Sequence, residues 1–312
     1  MSARMSGKRR LSGSKRSITG GALYHCDDAG TLTPNKCRRR VQAVPEKHHS
    51  EILRMLELSK PVPHTGSNFR KEQAMRHAEQ DQGWNQQADR TRKLGVAQIV
   101  LLCENFEVST RTFVLSIAIL DTYLTQTSSG LADSGPTAQE TSTSSAQHKF
   151  EFAVACFAIA CKHVEVFAPR LVDVCSVMSN RCTTEDMRSA ENDILEVLGF
   201  GIPMVTGIDV VHKLLDICTE RQAAQVRAKA ETGVKIAYCC RHLRKFNAVD
   251  IAVAGLLGAC ENMDLGEEFL DFVPRFCMTA GARECQEKTK SFIADNVASQ
   301  AAGNKAIIYR AQ

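Results

Sequence analysis

Two ten-residue runs constrain this chain more than any other feature: FAVACFAIAC at 152–161 and IAVAGLLGAC at 251–260. Each is far shorter than the roughly 20 apolar residues that a membrane span needs, and neither shows the polar alternation of a half-buried strand. A helix that is apolar on every side has to be surrounded by other helices, so each run predicts the centre of a helical packing unit. The second run starts 99 residues after the first, a domain-sized period that points to duplication. At 312 residues and 44% hydrophobic content the chain is long enough for two such units.

The flanking sequence supplies the neighbours. Leu94, Ile99, Leu102 and Phe106 mark a first core helix, and Phe113, Ile117, Leu120 and Leu124 repeat at helical spacing on a second. TQTSSGLADSGPTAQETSTSSAQ, at 125–147, reads as a flexible insertion from its Ser, Thr, Gly and Gln content. The third helix covers about 148–163, and a short fourth follows Pro169 with Leu171, Val174, Cys175 and Met178. A fifth opens at Thr183, where Asp186 stands in the place of a capping-box acid, and runs through Met187, Ile194 and Leu198 to Gly199. Helices over about 206–218 and 220–246 precede the second apolar run, and two more, over about 265–277 and 281–298, follow it.

The expected fold is therefore all-α, two tandem five-helix domains at 89–203 and 204–300, with a tail at 301–312. Ahead of them, EKHHSEILRMLELSK at 46–60 sets Ile52, Leu53, Leu56 and Met55 on one side of a short amphipathic helix that Pro61 and Pro63 stop, with a polar connection to residue 88.

The net charge of +4 is unevenly spread. Residues 1–40 hold ten Lys or Arg against two acids, a balance of +8, which leaves the rest of the chain near −4. The clusters KRR at 8–10 and KCRRR at 36–40 sit among Ser, Gly and Thr, so residues 1–45 are expected to be a disordered basic tail of the kind that serves nuclear import, nucleic-acid contact or neither. Most of the thirteen cysteines lie inside apolar helical runs and behave there as small hydrophobes, which fits a reducing compartment. No CxxC pair, GxGxxG, Walker, HExxH or nucleophile-elbow pattern occurs, and the nine histidines form no ligand-spaced set, so neither an enzyme nor a metal or cofactor site is expected.

The most informative residues are charges on greasy faces. Asp121 stands four residues after Ile117 and three before Leu124, and a carboxylate there is costly without a cation. Arg92, on the preceding helix, can supply a bidentate partner, giving a structural ion pair. Glu191 is set in the same way between Met187 and Ile194, while Lys162 ends the all-apolar third helix. Charges so placed are core satisfiers, snorkelling side chains or anchors for a partner.

RTRKLGVAQIVLLCENFEVSTRTFVLSIAILDTYL (90–124), KFEFAVACFAIACKHVEVFAP (149–169) and TTEDMRSAENDILEVLGFGI (183–202) resemble the cyclin box in order and spacing, and the helix at 46–60 resembles the N-terminal helix of mitotic A/B-type cyclins. The resemblance implies a non-catalytic regulatory subunit that binds and activates a cyclin-dependent protein kinase in cell-cycle control, as a heterodimer found in nucleus and cytoplasm and directed at kinase substrates. It places Arg92 and Asp121 on the family's buried ion pair and Lys162 and Glu191 on its kinase-gripping pair, with His163, Glu165, Val166, Leu195, Phe200 and Ile202 at kinase-facing positions. Thr33, followed by proline and then by Lys36, and Ser12, after RRL, are phosphorylation candidates.

Departures stand beside the match. The family's apolar substrate-docking patch aligns with Thr91, Leu94, Gly95 and Gln98, and a leucine buried in the family aligns with Glu151. A transcription-associated cyclin is the alternative. The transcription factor IIB family also has tandem cyclin-like repeats, but the zinc ribbon is missing and the acidic balance beyond residue 40 disfavours direct nucleic-acid binding.

Overall fold

In a computed structural model of the chain, the residues described are 50–51, 53–55, 86–130, 144–179, 181–203, 205–216, 220–265, 270 and 273–301. Thr33 and Ser12, with the rest of the basic segment, lie outside them, as do Ile52 and Leu56. Nine α-helices are present and no strand occurs among the described residues: α1 Gln86–Phe106, α2 Thr110–Gly130, α3 Ser144–Val164, α4 Leu171–Val177, α5 Thr184–Val197, α6 Gly207–Leu215, α7 Glu220–Cys239, α8 Ala248–Glu261 and α9 Ala280–Ala301.

Both apolar runs take the central place that their composition demands. Residues 153–161 of α3 are buried, and α1, α2 and α5 pack around them. Residues 248–257, 259 and 260 of α8 are likewise buried, ringed by α6, α7 and α9. Phe106, at the end of α1, stacks on Phe157 at 6.0 Å between ring centroids, and Phe152 meets Tyr123 of α2 at 4.8 Å. One close approach depends on glycine: a Cβ at Gly255 would stand 2.9 Å from the Ala230 carbonyl oxygen, so α7 and α8 cross almost backbone to backbone.

Local signals set the helix starts. Thr183 and Asp186 form a reciprocal capping box on α5, and Thr206 and Asp209 form another on α6. A carboxylate immediately precedes each apolar run, Glu151 in α3 and Asp250 in α8, and both are buried. Asp250 accepts from the Thr279 hydroxyl at 2.5 Å, at the start of α9. Burial raises the Cys182 thiol, just ahead of α5, and Glu151 is near enough to add to the rise. The acid at 151 therefore matches its counterpart in the second repeat.

Several boundaries differ from expectation. Helix α2 continues to Gly130 and α3 starts at Ser144, so the insertion is shorter at both ends than 125–147. The side chains of Thr122, Thr125 and Thr127 each donate to a carbonyl one turn back, which gives a polar segment local helical bonds that composition hides. The helix expected over 220–246 ends at Cys239 and is followed by a 3-10 turn at Arg241–Leu243. Of the helix expected over 265–277, the described residues include only a 3-10 turn at Arg275–Cys277, at the chain position that α4 holds in the first repeat; residues 266–269 and 271–272 lie outside them.

The two repeats are stitched by polar contacts. Arg111 of α2 pairs with Asp209 of α6 at 2.6 Å, Arg241 pairs with Asp89 of α1, and Lys235 of α7 lies 5.3 Å from the centre of the Phe113 ring. Residues 50, 51 and 53–55 are helical and are fastened to α6 by an ion pair between Glu51 and Lys213. Here Met55 packs on the core, whereas Leu53 is 44% exposed and does not share the buried side.

Candidate functional site

The Arg92–Asp121 pair forms with the expected partners and holds more than two helices. The Arg92 Nε donates to Asp121 Oδ1 at 2.6 Å and Nη2 donates to Oδ2 at 2.9 Å, a bidentate fork. The same guanidinium donates to the carbonyls of Tyr238 and Cys239, at 2.8 and 3.1 Å. Those carbonyls end α7, where a helix leaves acceptors unsatisfied and carries a partial negative charge. Burial pulls the Arg92 pKa down, and the Asp121 carboxylate more than restores it, so the group stays charged. The pair is structural, and the reach into the second repeat has no signal at the level of spacing.

Lys162 and Glu191 meet on the outside. Lys162, in the last turn of α3, donates from Nζ to both oxygens of Glu191 in α5, each at 2.6 Å. The lysine side chain is 51% exposed and the glutamate 10%. Two of the three ammonium donors are occupied, so one remains for an outside acceptor, while the carboxylate keeps lone pairs for an outside donor.

The chain leaves this pair on both sides toward exposed apolar groups. Just beyond α3, Val166 is 88% exposed and Phe167 92%. Just beyond α5, Phe200 is 73% exposed and held at φ 58°, with its amide donating to the Leu195 carbonyl at 2.8 Å. Val172 and Val197 add to the exposed apolar set. Phe167, Val172 and Val197 are absent from the sequence expectation; an aromatic beside the charged end of an apolar helix was the available sign.

The remaining expected residues divide. His163 is exposed beside Lys162, whereas Leu195 and Ile202 are only partly exposed and pack against the core. Glu165 turns inward: its Oε1 accepts from the Ser109 N–H at 2.9 Å and from the Thr112 hydroxyl, at the start of α2. Burial pushes this carboxyl up, but these hydrogen bonds outweigh it and hold it below the ordinary carboxylate range.

Of the positions aligned with a substrate patch, Leu94 is 65% exposed, but Gly95 is buried, with a Cβ there falling 2.8 Å from Leu120 Cδ2. Gln98 is partly buried and its Oε1 has no hydrogen-bond partner among the described residues, and Thr91 is partly buried on the same helix. No group of His, Cys, Asp and Glu suited to a metal ion occurs among the described residues, and no described helix is long and apolar enough to cross a membrane.

Among the described residues, the helical scaffold thus presents a partly open ion pair, Lys162–Glu191, with exposed aliphatic and aromatic groups where the chain leaves it. Residues 65–203 match the family model described as "Cyclin, N-terminal domain". Among solved structures it is similar to a viral cyclin from herpesvirus saimiri, with 22% identity, a TM-score of 0.49, and coverage of 66% of this chain and 86% of that one. No curated protein matches the chain.

Proposed function

We propose that this chain is the regulatory subunit of a cyclin-dependent serine/threonine kinase, which it binds and activates without doing chemistry itself. The observation that carries the reading is the Lys162–Glu191 pair, joined at 2.6 Å yet half open, with Val166, Phe167 and Phe200 exposed where the chain leaves it. One spare N–H and spare carboxylate lone pairs suit the carbonyls and amides of a polypeptide, and the apolar side chains supply a desolvated centre.

Activation on this reading is a population shift. A kinase is active when its mobile helix brings a glutamate onto the ATP-binding lysine, and a subunit that binds this arrangement better stabilises it. Driving such an equilibrium from about 1:99 to 99:1 takes roughly 5.5 kcal/mol of differential affinity, within reach of an interface of about 2,000 Å². Cell-cycle control follows from the likeness of residues 46–60 to mitotic cyclins, and location in nucleus and cytoplasm from the basic first 40 residues.

The test is the double substitution Lys162→Ala with Glu191→Ala. Removing both charges leaves neither one stranded. The variant is expected to keep its helix content by circular dichroism and to lose kinase co-purification and activation. A complex that persists in the folded variant removes the pair from the interface.

A further inference from the structure

The loop that carries Val166 and Phe167 has almost no backbone bonding of its own. The Glu165 amide donates to the Cys161 carbonyl at 2.9 Å as the last bond of α3, and the next bond runs from the Asp173 amide to the Arg170 carbonyl at 2.9 Å, where α4 begins. The amides of Val166, Phe167 and Ala168 make no backbone hydrogen bond among the described residues. Yet this stretch holds out the two most exposed large apolar side chains among the described residues.

What fixes it is side-chain bonding at its first residue. The Glu165 carboxylate is bound by the Ser109 amide and the Thr112 hydroxyl, and the Thr112 amide in turn donates to the Ser109 hydroxyl at 3.2 Å. This is the start of α2, where free N–H groups and the helix dipole favour an anion. Thr112 is fully buried, so its end of the tether cannot move, and Ala168 packs on the core beyond the exposed pair. The loop is thus pinned on both sides of Val166 and Phe167.

We propose that Glu165 is a positioning residue: by tethering the loop to the start of α2, it pre-orders Val166 and Phe167 for the kinase and does not itself touch the partner. This rests on the kinase-binding reading, but the tether itself is a property of the free chain. Ordering the loop before association removes a cost that binding would otherwise carry. The sequence resemblance made Glu165 a direct contact; the geometry turns its carboxylate away from that task.

Two measurements on the full-length chain decide the matter. In ¹⁵N relaxation without partner, the amides of Val166, Phe167 and Ala168 are expected to be as ordered as the end of α3 in the native chain and clearly looser in Glu165→Ala and in Thr112→Val. Affinity for a purified cyclin-dependent kinase that the native chain activates should fall by about tenfold in Glu165→Ala. Thr112→Val should act in the same direction, and the double variant should be no worse than Glu165→Ala. Weaker binding with an unchanged loop would make Glu165 a direct contact and overturn the proposal, as would a looser loop with unchanged affinity. If no kinase binds the native chain, the functional reading fails, and unchanged relaxation in Glu165→Ala would separately refute the tether.

Discussion

Phe200 sits at φ 58°, in the left-handed region that bulky side chains avoid, and Gly199 before it is at φ 54°. A residue in that region costs about 1–2 kcal/mol relative to a relaxed backbone, and the ring recovers little by burial because it is 73% exposed. Strain kept at an exposed aromatic is explained when the ring has a partner to meet. Phe200→Gly is therefore expected to raise stability by up to about 1 kcal/mol in urea titration, while weakening kinase binding measurably. A variant that loses stability and keeps its affinity would assign the ring to the fold. Individual residues were legible in the sequence where a charge broke an apolar pattern, as at Asp121, Glu191 and Lys162. They were not legible where the partner is remote: the carbonyls of Tyr238 and Cys239 lie 146 and 147 positions from Arg92 along the chain, and just 2.8 and 3.1 Å from it in space. The hydrogen bonds of Glu165 to Ser109 and Thr112 were likewise hidden, because alignment reports position and not the direction in which a carboxylate turns.

Helix packing carries its own expectation at Gly255. Alanine is the better helix former by about 0.8–1.0 kcal/mol, so an isolated helix would gain from Gly255→Ala. Here the new methyl would lie 2.9 Å from the Ala230 carbonyl oxygen and from Val234 Cγ2, and backbone cannot step aside as a flexible side chain can. Crowding of this kind costs about 1–3 kcal/mol, so the variant is expected to be less stable than the native chain by thermal denaturation, against its propensity. The central helices α3 and α8 were plain from sequence because burial on all sides leaves only apolar residues. Helix ends were plain where a capping box marks them, as at Thr183, and obscure where they rest on tertiary contacts. The polar end of α2, bonded through threonine hydroxyls, and the 3-10 turn at Arg275–Cys277 have no such mark.

For the molecule as a whole, Arg92 is the joint. It binds α1 to α2 through Asp121 and both to the end of α7, and Arg111–Asp209 adds a second link nearby in the chain. Removing one partner of a buried pair costs about 3–5 kcal/mol, so Arg92→Met is expected to destabilise the chain by that order. It should also separate urea unfolding into two transitions where the native chain shows one. A single transition with an unchanged slope would mean that apolar contact alone couples the repeats. One guanidinium thus has half of its acceptors in the second repeat. A fragment cut after residue 203 would keep Lys162, Glu191 and their exposed apolar neighbours and leave Arg92 with Asp121 alone, stripped of the two carbonyls that anchor it beyond the cut.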